Sequence, residues 1–261
     1  MKEPRFSLQV SDGPLVAAAL HAGHSVRENL APQFAISDAD RLQEEDPGTD
    51  LLASIAPTTI ISHISRFEHD LNRPREKAVY RLPEDAWGLT VWRDPLPEPL
   101  LTESLHYYDE FYLAVRNLLT DNLKREGKLL LLDMHSYNHR RDGADQPPAD
   151  VAGNPNIEID TTEIGRVHYG DLIDRLITDL RSQTICGKLL DVRENVRFAG
   201  PGHFARWVQM DFPKDVCVVS IEIKKFYMNE WTGEIDFNIL KNVRAAIAST
   251  LPGLLELLAA K

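Results

Sequence analysis

The residues of this chain best suited to chemistry are histidines that end apolar runs. His21 closes "LVAAAL" and His135 follows "LLLLDM". Histidine is the commonest metal ligand, and a ligating ring usually donates its second N–H to an acid or a carbonyl. Asp133 lies two residues before His135, on the same side of an extended strand, so it can orient that ring or bind a metal itself. The same spacing is also met by a hydrogen-bonded strand-end histidine beside a turn aspartate. A catalytic zinc typically takes three protein ligands and one water. The remaining position has candidates in His24, three residues after His21, and in Glu45, Asp46 and Asp50 of "LQEEDPGTD", a run that otherwise reads as a solvated acidic surface.

A second group lies in "SRFEHDLNRP", where Arg66 and Arg73 bracket Asp70 and Asn72. Arginine forks match carboxylates in bidentate fashion, and an asparagine amide can share the task. The plain alternative is a surface salt-bridge loop of Arg66, Glu68, Asp70 and Arg73, which stabilises little. A third candidate is Glu222, inside the apolar "VVSIEIKKF". A carboxylate there is costly unless paired or functional, and burial would raise its pKa toward the range of a general acid–base. Lys224 faces the same way and is its expected structural partner; an outward-facing edge position is the other plain reading.

These residues need a scaffold that presents strand ends. The runs at 14–23, 57–65 and 215–228 are strand-like, and the tetraleucine at 129–132 is a buried strand. Leu105, Tyr108, Tyr112, Val115, Leu119 and Leu123 share one face of a helix over 102–127, stopped by Gly127. A second helix covers 163–183, and the chain closes as a helix interrupted at Pro252-Gly253. Loops are expected at 94–100 and 140–156, the latter directly after the histidine strand. Strands alternating with helices predict an α/β fold, whose ligands bind beyond the carboxyl ends of the strands. No linker divides the chain, so residues 1–261 are expected to form one domain.

Composition narrows the partners. A net charge of −11 disfavours nucleic acid and acidic lipid, and an anionic substrate would need a local arginine cluster. Cys186 and Cys217 make no disulfide framework and no CxxC pair, which predicts a reducing, cytoplasmic setting. The first residues lack an apolar leader, and no run approaches the ~18 apolar residues of a membrane span. A soluble protein is expected.

"HAG" at 21–23, "TD" at 49–50, "SRF…DLNRP" at 65–74, "DMHS" at 133–136, "NVRFAGPGHFARW" at 195–207 and "VSIEIKKFYM" at 219–228 together resemble the N-formylglutamate amidohydrolase family, and less closely the aspartoacylase and zinc carboxypeptidase group. The resemblance implies a zinc-exopeptidase-like, three-layer fold: a mixed β-sheet flanked by helices on both faces. It implies one Zn2+ per chain on His21 and His135, with Asp50 as the third ligand and His24 kept open, because the H-x-x-E of the related deacylases is absent here. Glu222 would act as base and Arg66 would polarise the scissile carbonyl; Asn72 and Arg73 would hold the substrate carboxylate, with His203 and Arg206 on the far wall. The implied substrate is a small anionic N-acyl amino acid, N-formyl-L-glutamate first. The alternatives are a non-catalytic binding protein on the same fold and a carboxypeptidase acting on peptides.

Overall fold

A computed structural model describes residues 4–261. In chain order the elements are β1 (Phe6–Gln9), β2 (Leu15–Ala19), α1 (Asp38–Glu44), α2 (Thr49–Ala53), β3 (Thr58–Ser62), α3 (Glu98–Glu126), β4 (Leu129–Tyr137) and β5 (Ile157–Asp160). There follow α4 (Glu163–Arg181), the small hairpin β6 (Thr184–Ile185) and β7 (Lys188–Leu189), β8 (Val192–Glu194), α5 (His203–Asp211), β9 (Val216–Lys224) and α6 (Phe237–Ala259). Among the described residues the main sheet has seven strands in the order β1-β3-β2-β4-β9-β5-β8. β3, β2, β4 and β9 run parallel; β1 and β5 are antiparallel to β3 and β9, and β8 is parallel to β5.

Every residue of β2 and β4 is buried, as expected where helices cover both faces of a parallel sheet. Alternation along β4 divides the core. Leu130, Leu132 and Met134 pack with Leu172 and Leu176 of α4 and with Val243 and Ile247 of α6. Leu129 and Leu131 pack with Phe111 and Val115 of α3 and with Phe204 and Val208 of α5. The result is the three-layer α/β architecture with a mixed sheet. A third cluster, including Phe34, Phe67, Tyr80 and Trp92, gathers the irregular stretches beside the sheet ends.

β2 connects to β3 on one side, while β4 lies on its other side. The chain therefore diverges at the carboxyl ends of β2 and β4, the crevice where α/β folds bind ligands. α3 starts earlier than its periodicity predicts, because Pro97 caps it and Pro99 fits the first turn, so the expected 94–100 loop ends inside a helix. α6 is not interrupted at Pro252. The backbone bond lost there is offset by burial of Leu254 and Leu258 just beyond it. Both cysteines are free, Cys217 inside β9 and Cys186 exposed at the hairpin turn. No helix among the described residues is long and apolar enough to cross a membrane.

Candidate active site

His21 lies two residues beyond β2 and His135 lies within β4, so the switch-point crevice brings the two rings to a centroid distance of 5.0 Å. Gly23 makes the exit from β2 possible, since an added Cβ would fall on the His63 carbonyl. Asp46 joins them from the turn after α1, its N–H donating to the His21 carbonyl at 2.8 Å. Asp46 Oδ2 stands 3.3 Å from His21 Nδ1 and 3.1 Å from His135 Nδ1. The opposite ring nitrogens face other acids: His21 Nε2 is 2.7 Å from Asp70 Oδ1, and His135 Nε2 is 3.1 Å from Asp133 Oδ1. All five side chains are buried.

Carboxylates behind both Nε2 atoms favour the tautomer with its lone pair on Nδ1, which is how ligating histidines are fixed. His21 Nδ1 is buried without a hydrogen-bond partner. Burial opposes charge on Asp46, but the two histidines outweigh it and hold the carboxyl well below its ordinary range. Burial likewise works against a charged His135, yet Asp133 and Asp46 raise its pKa well above the usual value. The trio therefore presents one oxygen and two nitrogens to a point that favours positive charge. It could hold a metal ion.

Asp46, not Asp50 or His24, completes the cluster. Pro47 disfavours a helical Asp46, and Gly48, at φ +85°, reverses the chain. Asp46 is thereby aimed inward, and Asp50 falls exposed in the first turn of α2, where an acid suits the helix dipole. His24 is engaged elsewhere, its Nδ1 2.5 Å from Glu45 Oε2. The acid that joins the two histidines is thus the one that precedes the Pro-Gly turn, not the expected Asp50.

Asp70 is the hub behind the cluster. Besides His21 it accepts from the Asn72 N–H at 2.7 Å, from Arg66 Nη2 at 2.7 Å and from the Tyr80 hydroxyl. Arg66 also donates to the Glu44 carbonyl at 3.1 Å and lies 4.8 Å from the Trp87 ring centroid. The loop is thus no surface salt-bridge array; Glu68 turns away and pairs with Arg27 at 2.8 Å. Asn72 Oδ1 accepts from the Phe204 N–H at 3.0 Å, securing the start of α5, while Nδ2 lies 3.4 Å from His135 Nε2. Arg73 remains half exposed at the cavity wall.

Glu222 sits opposite His135 on one side and Glu158 on the other. Burial pushes its carboxyl up to about 8; Asp46 and Asp133 add to the rise and His135 opposes it. The expected pair with Lys224 does not form. Lys224 is the last residue of β9, and its charged neighbours are Asp191, Arg193 and Arg197. Lys225 turns inward instead, donating to the Gln43 and Glu45 carbonyls at 2.7 and 2.6 Å and so pinning the turn that carries Asp46. Asp160, on β5, is pushed up to about 9 by burial, with Glu222 and Glu158 reinforcing the effect.

These groups face a cavity of about 730 Å³, whose wall also includes Trp87, Tyr137, Arg141, Arg197 and Phe198. His203 and Arg206 are not part of that wall. His203 begins α5 with its ring 5.9 Å from Tyr112, and Arg206 braces the preceding loop by donating to the Pro201 and Ala199 carbonyls. Only glycines 200 and 202 and Phe198 of that segment reach the cavity along with Arg197. The sequence offered no spacing that singles out Arg141, Arg197, Tyr80 or Trp87, because each arrives from an irregular segment.

Two solved structures share the fold across nearly their whole length. The N-formylglutamate amidohydrolase from Ralstonia eutropha JMP134 superposes with a TM-score of 0.77 at 16% identity, covering 98% of each chain. The gene product Atu2144 from Agrobacterium tumefaciens superposes at 0.69 and 18% identity, over 97% of this chain and 96% of its own. No curated protein matches the sequence. The family model described as N-formylglutamate amidohydrolase matches residues 13–228, a stretch that contains His21, Asp46, Arg66, Asp70, His135 and Glu222. The chain is a member of the N-formylglutamate amidohydrolase family, a family of hydrolases acting on amide bonds.

Proposed function

We propose that this chain is a zinc-dependent deacylase of small N-acyl amino acids, with N-formyl-L-glutamate as the leading substrate and one zinc ion on His21, Asp46 and His135. One observation carries the reading: two Nδ1 atoms converge on Asp46 while both Nε2 atoms are backed by Asp70 and Asp133, beside the pocket carboxylate of Glu222. Asp46 completes a three-residue donor set with His21 and His135, which supports catalysis over binding alone. When bound, zinc supplies Lewis-acid polarisation of the amide oxygen and lowers the pKa of water to about 7.

The side chains supply the rest. Glu222 accepts a proton from the attacking water and returns it to the amine nitrogen as the C–N bond breaks. The water oxygen stays on the acyl carbon, so N-formylglutamate would yield formate and glutamate. Arg66 donates to the carbonyl oxygen as it gains charge. Asp70 and Tyr80 hold Arg66 and His21 as one unit, so the oxyanion donor and the metal ligand keep a fixed relation. Asn72 and Arg73 anchor the α-carboxylate and fix the orientation of attack.

Elemental analysis of untagged protein tests this directly. About one zinc per chain is expected by the ligand-count argument, lost in His21→Ala, Asp46→Ala and His135→Ala and kept in His24→Ala and Asp50→Ala. Full retention in His135→Ala or Asp46→Ala would overturn the ligand set. Failure of the zinc-loaded protein to hydrolyse any N-acyl amino acid would overturn the activity.

A further inference from the structure

The cations that reach the cavity differ in what already neutralises them. Arg66 is paired with Asp70 at 2.7 Å, and Arg141 grips both oxygens of Glu44 at 2.8 Å. Lys225 is saturated by two carbonyls and by Asn138 Oδ1. Arg73 stands 3.9 Å from an Asp70 that four stronger donors already occupy. Arg197 has no carboxylate within ion-pair distance among the described residues. Its Nη1 donates to Asn154 Oδ1, its Nε is buried without a hydrogen-bond partner, and its guanidinium lies 4.7 Å from the Tyr137 ring centroid and 5.5 Å from that of Phe198.

This cation is held in place by a dedicated support. Glu158, fully buried in β5, accepts from the backbone N–H groups of Val196, Arg197 and Phe198 at 2.8–2.9 Å. A buried carboxylate is tolerated only with such compensation. It fixes the loop that carries Arg197 and leaves its own charge committed to the backbone. Asn154, itself buried, is tied to the Asp150 carbonyl at 2.7 Å and holds the guanidinium from the other side. A preorganised, partly desolvated arginine without a counter-charge favours an anionic ligand group. The approach direction matters as well. Arg73 comes from the loop after β3 and Arg197 from the loop after β8, strands on opposite sides of β4 in the sheet. Two available guanidinium groups thus flank the His135–Glu222 centre.

We propose that Arg197 is the specificity residue that receives the side-chain carboxylate of an acidic N-acyl amino acid, leaving Asn72 and Arg73 to the α-carboxylate. The assignment rests on the deacylase reading of this cavity and adds to it which residue selects a dicarboxylate.

The test compares N-formyl-L-glutamate with N-formyl-L-glutamine, nearly isosteric but uncharged at the side chain, on the full zinc-loaded chain. The wild-type ratio of kcat/KM, acid over amide, should fall about 30- to 100-fold in Arg197→Met, chiefly through KM, the scale of losing one partner of a buried charge pair. Arg197→Lys, which keeps charge without the fork, should fall between the two. A purely structural Arg197 would depress both substrates alike, so an unchanged ratio overturns the proposal while leaving deacylation intact. Should the wild type hydrolyse neither compound, the deacylase reading fails, and calorimetric binding of the two decides the assignment. Tighter binding of the glutamate compound, with the preference lost in Arg197→Met, supports it; equal binding of both, or none, overturns it.

Discussion

At the scale of single residues, Glu222 and Asp160 show how one environment produces two kinds of carboxyl group. Both are raised by burial, but Glu222 is paired directly with His135 on the neighbouring β4 and keeps a cationic neighbour that Asp160 has only weakly. If Glu222 is the base of the proposed deacylase, Glu222→Gln keeps the shape and removes it, so the variant should retain zinc and lose about 10³-fold in kcat, within the usual range for a general acid–base. Turnover equal to wild type would remove Glu222 from the chemistry. Asp160 has a consequence for stability. Its folded pKa of about 9 stands above the ordinary 3.8, so between those values the folded chain holds a proton that the unfolded chain has released. The unfolded state then binds fewer protons, and stability falls as pH rises through that window. Asp160→Asn removes the penalty. In chelator-treated protein, the variant's urea midpoint should gain on the wild type between pH 5 and pH 8; a difference independent of pH would mean that Asp160 titrates normally.

At the scale of elements, the docking of α5 against the "DLNRP" loop makes the site sensitive to one glycine. A Cβ on Gly202 would overlap the Asn72 carboxamide. Asn72 would have to leave the Phe204 N–H and its place beside His135, since both contacts use the same side chain. Gly202→Ala should therefore cost about 1–3 kcal/mol, as overpacking does, and lower kcat/KM at least about tenfold through the displaced amide. Gly187→Ala is the control, strained at φ +74° but with open space around it and remote from the cavity; it should lower stability without changing kcat/KM. Equal activity losses in both would show that Gly202 matters only for folding. The same elements explain what could be read beforehand. β4 is a nine-residue strand buried throughout, so "LLLLDMHSY" declared itself by apolarity and placed Asp133 beside His135 by simple alternation. The long α3 and α4 repeat their leucines often enough to be recognised. β5 and β8 carry only four and three residues, with acids among them, and no periodicity survives at that length. The choice of Asp46 over Asp50 depended on a Pro-Gly reversal, whose outcome is set by what packs around it. Arg197 could not be read at all, because its position follows from the buried Glu158 on a strand too short to recognise.

At the scale of the whole molecule, the site concentrates negative charge in a chain whose net charge is already −11. Asp46, Asp70 and Asp133 converge on one crevice, where like charges in a low-dielectric setting oppose folding and help to raise the Glu222 carboxyl beside them to about 8. A divalent cation on His21, Asp46 and His135 would relieve that repulsion and tie together distant parts of the chain, Asp46 and His135 being 89 residues apart. Because such a site exists only in the folded state, metal affinity becomes folding stability. At free zinc about 1,000-fold above its dissociation constant, the gain is about 4 kcal/mol, and for a chain of this size that corresponds to a rise in Tm of roughly 8–15 °C. Calorimetric scans of chelated and zinc-loaded protein measure it. Asp46→Ala should abolish the increment and Asp50→Ala should keep it, which ties the effect to the crevice rather than to zinc bound on the acidic surface. Coincident transitions with and without zinc would show that the carboxylates and histidines satisfy one another, and that the crevice folds without a metal at its centre.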